Sequence, residues 1–437
     1  MRALTRRRAA DVLGALWRGA LTALSGRTLV RESIKRMPIP ALHVRVFALG
    51  KAAAAMAFGA DEALRAQHSG LVVAHEKAAV PRGFALMVGG HPLPDDSSAA
   101  AGQALLQAVD AARPEEMSLF LISGGGSALA SLPAEGLTVG DVARTTEALL
   151  KSGASIGEIN AVRKHLTQLG GGQLAARCRS GRITALMLSD IPSGDVSALA
   201  SGPVTPDAAT FADALDVVSK LPEGQIPARV LEHLTLGAAG RIAETPKPGD
   251  RRLLRIRHHV LASPAALAEA ARAKSAEIGL PARIASPSFQ GDLHSLAKIL
   301  CGAVQQELAA SDETGPTLLI AAGEPSLKVP EGCGQGGRMQ TLALCLAREL
   351  AGRDVAFLCA GSDGRDGPTD LAGAVADGTT AALAEGMGED LQGALDRFDA
   401  SPCLRRLGLG LPAFESGTNL TDLVLICCRA SALDKAR

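Results

Sequence analysis

Nine consecutive residues, Leu121-Ile122-Ser123-Gly124-Gly125-Gly126-Ser127-Ala128-Leu129, carry an apolar run into three glycines held between two serines. Glycine reaches backbone conformations closed to other residues, so the N–H groups from Ser123 through Gly124, Gly125 and Gly126 to Ser127 can converge on one anion, such as a phosphate. A helix starting near Ser127 would add its partial positive end to the same spot. The run is not a P-loop, because G-x-x-x-x-G-K-[ST] occurs nowhere in the chain. An ordinary glycine turn between strand and helix would read the same way.

Other groups with chemical potential recur at the ends of apolar runs. Lys51 follows Gly50 at the close of Val44–Leu49, where a lysine opening a helix works against the helix dipole. His91 stands in Gly89-Gly90-His91-Pro92-Leu93-Pro94, a stiff loop in which it serves either a ligand or the loop itself. Asn160, Arg163 and Lys164 make a plausible clamp for a carboxylate or phosphate, since Arg binds such groups bidentately and Lys as a point charge. A solvated helix face is the alternative for them. Asp190 and Asp195 bracket a Gly/Pro/Ser loop after Ile183–Ser189, a place for Mg²⁺ or for a base acting on a hydroxyl, and equally for turn chemistry. Glu324 follows Thr317–Ala321, and Asp363, Asp366 and Asp370 follow Val355–Cys359 without the spacing of an EF-hand.

One motif points elsewhere. Gly332-Cys333-Gly334-Gln335-Gly336-Gly337 satisfies G-x-G-x-x-G ahead of a helix that starts at Arg338, so nicotinamide binding, as in an NAD(P)H-dependent hydroxypyruvate reductase, is the rival activity. Its support is thin: Pro330 and Glu331 interrupt the strand expected at Ser326–Val329, and the acid expected about 20 residues further on is out of place.

The elements that must position these groups alternate between strand and helix. Strands are expected at 44–49, 70–74, 86–88, 118–122 and 183–190, then at 255–262, 281–285, 317–321, 355–359 and 423–427. Helical spacing marks 9–24, 95–112, 157–169, 264–279, 292–310 and 338–350, whereas the prolines at 222, 227, 246 and 248 suggest a surface connection from 203 to 250. This is an α/β pattern. At 437 residues the chain exceeds one ordinary core, and the expected division is 1–245 and 246–437.

Lys+Arg and Asp+Glu balance at 45 each, and aromatics are 2% of the chain with no Tyr, so neither nucleic acid nor a membrane surface is an expected partner. Small acidic metabolites remain, and both a monomer and a homodimer are open. Eight cysteines without a C-x-x-C pair point to reduced thiols, and the lack of a bilayer-spanning apolar run or a signal-peptide h-region makes the cytoplasm the expected compartment. Arg6, Arg7 and Arg8 before an amphipathic stretch offer an organelle presequence as the alternative to an ordinary first helix.

In this order the residues resemble the class II glycerate 2-kinase family, also called the glycerate kinase or MOFRL family, over nearly the whole chain. The resemblance rests on Gly50-Lys51-Ala52, Gly90-His91-Pro92-x-Pro94, Ile122 to Ala128, Asn160-x-x-Arg163-Lys164-His165, Ser189-Asp190, Ala200-Ser201-Gly202-Pro203, Gly323-Glu324-Pro325, Gly336-Gly337-Arg338, Asp363 to Asp370 and Gly417-Thr418-Asn419. It implies two α/β domains, an N-terminal Rossmann-like parallel sheet and a smaller C-terminal domain, with the active site in the cleft between them. It also implies ATP with Mg²⁺ and phosphorylation of D-glycerate at its 2-hydroxyl. On that basis Lys51, Arg338 and Asp190 are the expected catalytic residues. Ser123, Gly124, Gly125, Gly126, Ser127, Asn160, Lys164 and Glu324 are expected to bind the nucleotide. Lys51, His91, Arg163, Asp363 and Asp366 are expected to bind substrate, and Asp190 with Asp195 the metal. The chain departs from the family at Met339 and Thr341, where Asn and Glu are usual, at Ser362, and after Asp190; these changes bear on substrate choice more than on reaction type. A non-catalytic binding protein of the same fold is disfavoured by the density of charge at strand ends.

Overall fold

The computed structural model describes residues 2–191, 194–310, 315–330 and 332–434; Pro192 and Ser193 of the aspartate loop, and Glu331, lie outside them. The chain divides into two compact units, one of residues 25–261 and one of residues 1–24 with 262–437.

In the first unit the sheet is built from β1 (His43–Leu49), β2 (Gln67–Ala74), β3 (Phe84–Val88), β4 (Met117–Ser123), β5 (Arg182–Leu188) and β6 (Ile256–Ala262), in the order β3-β2-β1-β4-β5-β6. β1 to β5 pair in parallel throughout. Every residue of β4 is buried, as a strand covered on both faces requires, and Phe120 of β4 packs on Phe47 of β1 with centroids 5.1 Å apart. The strand order reverses between β1 and β4: β2 and β3 lie to one side, β5 and β6 to the other. In an open parallel sheet such a reversal leaves a crevice at the carboxyl ends of the two strands, where ligands bind.

Two expectations need correction here. The stretch from 203 to 250 is not a loose connection: it carries helices Phe211–Ser219 and Ala228–Ala238. Phe211, Ala214, Val218, Val230 and Leu234 pack on Val142, Leu149, Ile159, Val162 and Leu166 of the helices Val139–Ser152 and Ile156–Leu166. Of the prolines that suggested a loop, Pro227 directly precedes the second helix, where proline does no harm, and Pro222, Pro246 and Pro248 lie outside both helices. The second correction concerns the expected boundary near 245. The structure moves it to Leu261, because β6 joins the first sheet, and a strand pattern alone does not say which sheet a strand will join.

The second unit holds β7 (Ala282–Asp292), β8 (Thr317–Ser326), β9 (Val355–Gly361), β10 (Leu371–Asp377), β11 (Gly410–Pro412) and β12 (Asp422–Cys428), ordered β11-β10-β9-β12-β8-β7. Only β7 and β8 pair in parallel; β12 runs antiparallel to both β8 and β9. Helix Arg2–Ala23 belongs to this unit although it is first in sequence. Its face of Leu13, Leu16, Trp17, Ala20 and Leu21 is buried, and Trp17 meets Phe414 edge-on at 5.3 Å. No helix among the described residues is long and apolar enough to cross a membrane.

Candidate active site

At the strand-order reversal of the first unit, the loops leaving β1 and β4 are stitched together. Lys51 N–H donates to Gly124 O at 3.0 Å, and Ala52 N–H donates to Ser123 Oγ at 3.0 Å. The approach is close enough to require glycine: Gly50 sits at φ 122°, and a Cβ there would lie 2.2 Å from Ser123 Oγ. Gly125 takes the left-handed conformation at φ 85° and caps the one-turn helix Gly126–Leu129, whose first N–H groups, on Gly126 and Ser127, have no acceptor within the helix. A Cβ on Gly125 would stand 3.2 Å from Lys51 Cγ and 3.4 Å from His91 Nε2, so cradle, lysine and histidine share one place.

The same place extends to the loop after β5 and to helix Ile156–Leu166. A Cβ on Gly126 would lie 2.8 Å from Ala200 Cβ. Ala200 and Ser201 both hold positive φ, at 50° and 58°, an uncommon state for residues with side chains that is concentrated at functional loops. Ser201 Oγ donates to Asn160 Oδ1 at 3.0 Å, while the buried Asn160 Nδ2 has no partner. One turn on, desolvation draws the Arg163 guanidinium down to about 10, with no carboxylate pulling it back. A desolvated cation and an unsatisfied amide donor side by side are suited to an incoming anion.

Lys164 stands differently from expectation. Lys164 Nζ pairs with Asp207 Oδ1 at 3.2 Å, both side chains buried, and Asp207 also accepts from Thr245 Oγ1 at 3.0 Å. Lys164 is thus committed to holding the segment from 207 to 245 against its own helix, rather than to a clamp. Replacing Lys164 by Met should cost about 3 kcal/mol, because the Asp207 charge is left buried without its partner, and adding Asp207→Leu should recover most of it; urea unfolding of the single and double variants measures this. Asp190 is half-buried just past β5, and the exposed Asp195 accepts from Ser197 N–H at 2.9 Å in a tight turn. Among the described residues no three His, Cys, Asp or Glu side chains converge as a metal cluster.

In the second unit, the antiparallel run of β12 between β8 and β9 brings the start of β12 level with the ends of its neighbours: Asp422 registers with Gly323 and with Gly361. Glu324 lies near the end of β8 and Asp363 just past β9 at this edge, and Arg338 opens helix Arg338–Glu349 beside them. Arg338 donates to Glu324 Oε1 at 2.6 Å and stands 3.2 Å from Asp422 Oδ2. Burial alone would lower the Arg338 guanidinium, but Asp422 and Glu324 outweigh it and push it up, so its charge is permanent. Asp366, expected to touch substrate, is instead buried as the cap of this helix, accepting from Met339 N–H at 3.1 Å and Gln340 N–H at 2.8 Å. Burial pushes its carboxyl up while those N–H groups hold it down. Asp422 is the residue that sequence reasoning missed; a carboxylate opening the apolar strand Asp422-Leu423-Val424-Leu425-Ile426 was the available clue.

The glycine run from 332 to 337 does not form a dinucleotide turn. β8 ends at Ser326, well before Gly332, and Ser326–Val329 is not a separate strand. A Cβ on Gly334 would strike Asp399, and one on Gly337 would strike Asp366, so these glycines admit the chain's own carboxylates rather than a pyrophosphate. β8 and β9, which flank the following helix in sequence, are also not neighbours, since β12 lies between them.

Residues 12–235 match a domain of unknown function (DUF4147), and residues 317–422 match the MOFRL family. The chain is 36% identical to a D-glycerate 2-kinase of Thermotoga maritima, across 91% of this chain and 93% of that protein. It is 33% identical to a glycerate 2-kinase of Pyrococcus horikoshii, across 87% and 86%. A crystal structure of the Thermotoga maritima glycerate kinase superimposes with a TM-score of 0.83 at 32% identity, covering 98% of this chain and 100% of that one.

Proposed function

The chain belongs to the glycerate 2-kinase family, and from that premise we propose that it transfers the γ-phosphoryl group of ATP to the 2-hydroxyl of D-glycerate, giving 2-phosphoglycerate and ADP. The observation that carries this at the level of residues is the joining of Lys51 to the glycine cradle at the strand-order reversal. Phosphoryl transfer asks a protein for charge neutralisation and in-line placement more than for covalent chemistry. Backbone N–H groups of Gly126 and Ser127 hold phosphate oxygens, with Ser123 and Gly124 shaping the loop. In the first unit Lys51 neutralises charge on the transferred group, and in the second unit Arg338, held by Glu324 and Asp422, is a further cation for phosphate oxygens. Arg163 and Asn160 take the glycerate carboxylate, and His91, beside the cradle, contacts the substrate.

Magnesium suits this set. Mg²⁺ with a nucleotide commonly takes one or two carboxylates and draws its other ligands from phosphate and water, so the lack of a three-residue cluster among the described residues is no obstacle. Asp190, with Asp195, would hold it, and when bound it supplies positive charge to the phosphate oxygens. Asp190 serves alternatively to orient the attacking hydroxyl.

The test supplies purified protein with Mg-ATP and D-glycerate and identifies the product by phosphorus NMR. A 2-phosphoglycerate resonance growing with ADP is expected. ADP release without it would overturn the assignment, and NADH consumption with hydroxypyruvate in the absence of ATP would establish the reductase instead.

A further inference from the structure

Arg338 lies at the amino end of its helix, where the backbone already presents partial positive charge, so a cation there is stable only beside carboxylates. Two provide this from different strands. Glu324 engages one terminal nitrogen at 2.6 Å from the end of β8, and Asp422 faces the other at 3.2 Å from the first position of β12. Their surroundings differ: the Glu324 side chain is 48% exposed and the Asp422 side chain 8%. Asp422 registers with a glycine on each neighbouring strand, so neither neighbour contributes a side chain beside it. Its Oδ2 has no aligned hydrogen-bond donor, which makes the contact with Arg338 one of charge rather than of directed hydrogen bonding.

A buried carboxylate of this kind is a poor stabiliser. Burial pushes the Asp422 carboxyl well up, Arg338 opposes this, and Asp366, Glu324 and Asp363 reinforce it. Apolar residues of similar volume commonly serve a core as well or better. What the pair does accomplish is geometric. An arginine side chain is long and samples many rotamers, but its guanidinium is a rigid plane, and the directed bond to Glu324 at one terminal nitrogen with the Asp422 charge beside the other narrows the orientations of that plane.

We propose that Asp422, acting with Glu324, is a positioning residue that holds the Arg338 guanidinium in one orientation and leaves its remaining N–H groups available to a phosphate oxygen. The proposal rests on the kinase function above. Misorientation by a small angle costs rate without costing much ground-state affinity, because the charge that must be met develops on reaction.

A double-mutant cycle tests this. Asp422→Asn should lower kcat on the order of 30–100-fold with KM for ATP and D-glycerate changed less than about threefold. In an Arg338→Ala background, followed by single turnover, the same substitution should change the rate less than about twofold, since there is no guanidinium left to position. An equal loss in both backgrounds would overturn the proposal, as would a loss confined to KM. Thermal unfolding is followed alongside. Should Asp422→Asn not fold, Glu324→Gln, at an exposed position, completes the same cycle with the same two readings. The parent protein is assayed in the same series, so an inactive parent refutes the kinase function, whereas an active parent with additive losses refutes the positioning role.

Discussion

Replacing Lys51 by Ala is expected to lower kcat on the order of 10³-fold, or about 4 kcal/mol of transition-state stabilisation, with the thermal unfolding midpoint nearly unchanged. The loop that carries it is fixed by backbone groups, Lys51 N–H to Gly124 O and Ala52 N–H to Ser123 Oγ, which Ala retains. Only the half-buried side chain beside Gly125 is removed. The loss should fall on kcat, since the charge met by Lys51 grows as the phosphoryl group transfers. Lys51→Arg should recover part of it, limited by the different shape of the guanidinium. Steady-state kinetics with both substrates varied measures the split, and near-normal turnover in Lys51→Ala would remove this residue from the mechanism.

The second large effect is expected from Gly337→Ala. A Cβ there would stand 2.3 Å from Asp366 Cγ and 2.5 Å from Asp366 O, so the cap of helix Arg338–Glu349 must move as a whole. The two N–H bonds from Met339 and Gln340 to that carboxylate are lost or stretched, and Arg338, the next residue, moves with them. We expect a loss of about 3 kcal/mol from this unit, seen as a midpoint lowered by roughly 6–12 °C, together with a fall in kcat. Gly332→Ala provides the control. It lies at φ 75° with nothing within 4 Å of an added Cβ, so it pays only backbone strain, about 1 kcal/mol, and should leave turnover intact. Calorimetry on the two variants separates crowding from strain within one glycine run.

These contrasts show where the sequence is informative. β1, β4 and β5 were readable because apolar runs end abruptly in glycine, lysine or aspartate, and the cradle was readable because its glycines are contiguous. Local patterning carries that much. It does not carry the use to which a pattern is put: the fingerprint at 332–337 is satisfied letter by letter, yet its glycines make room for Asp366 and Asp399. Lys164 read as an anion clamp because its partner Asp207 is 43 residues distant in the chain. Asp422 was passed over for a related reason, since one carboxylate at the head of an apolar strand acquires meaning only when β8 and β9 are placed on either side. Sheet membership of β6 was equally out of reach, because pairing partners are set by topology, not by the strand's own residues.

Helix Arg2–Ala23 has a consequence in time. It is made ahead of the strands and helices that cover Leu13, Leu16, Trp17 and Leu21, which are encoded only after residue 262. At ordinary elongation rates, roughly 240 residues of delay amount to on the order of 10–50 seconds. Throughout that interval the middle of the chain can complete its own sheet while tethered to an apolar helix with no core to enter. The nascent chain therefore carries a sticky helix through that interval, and whatever shields it governs the yield of folded enzyme.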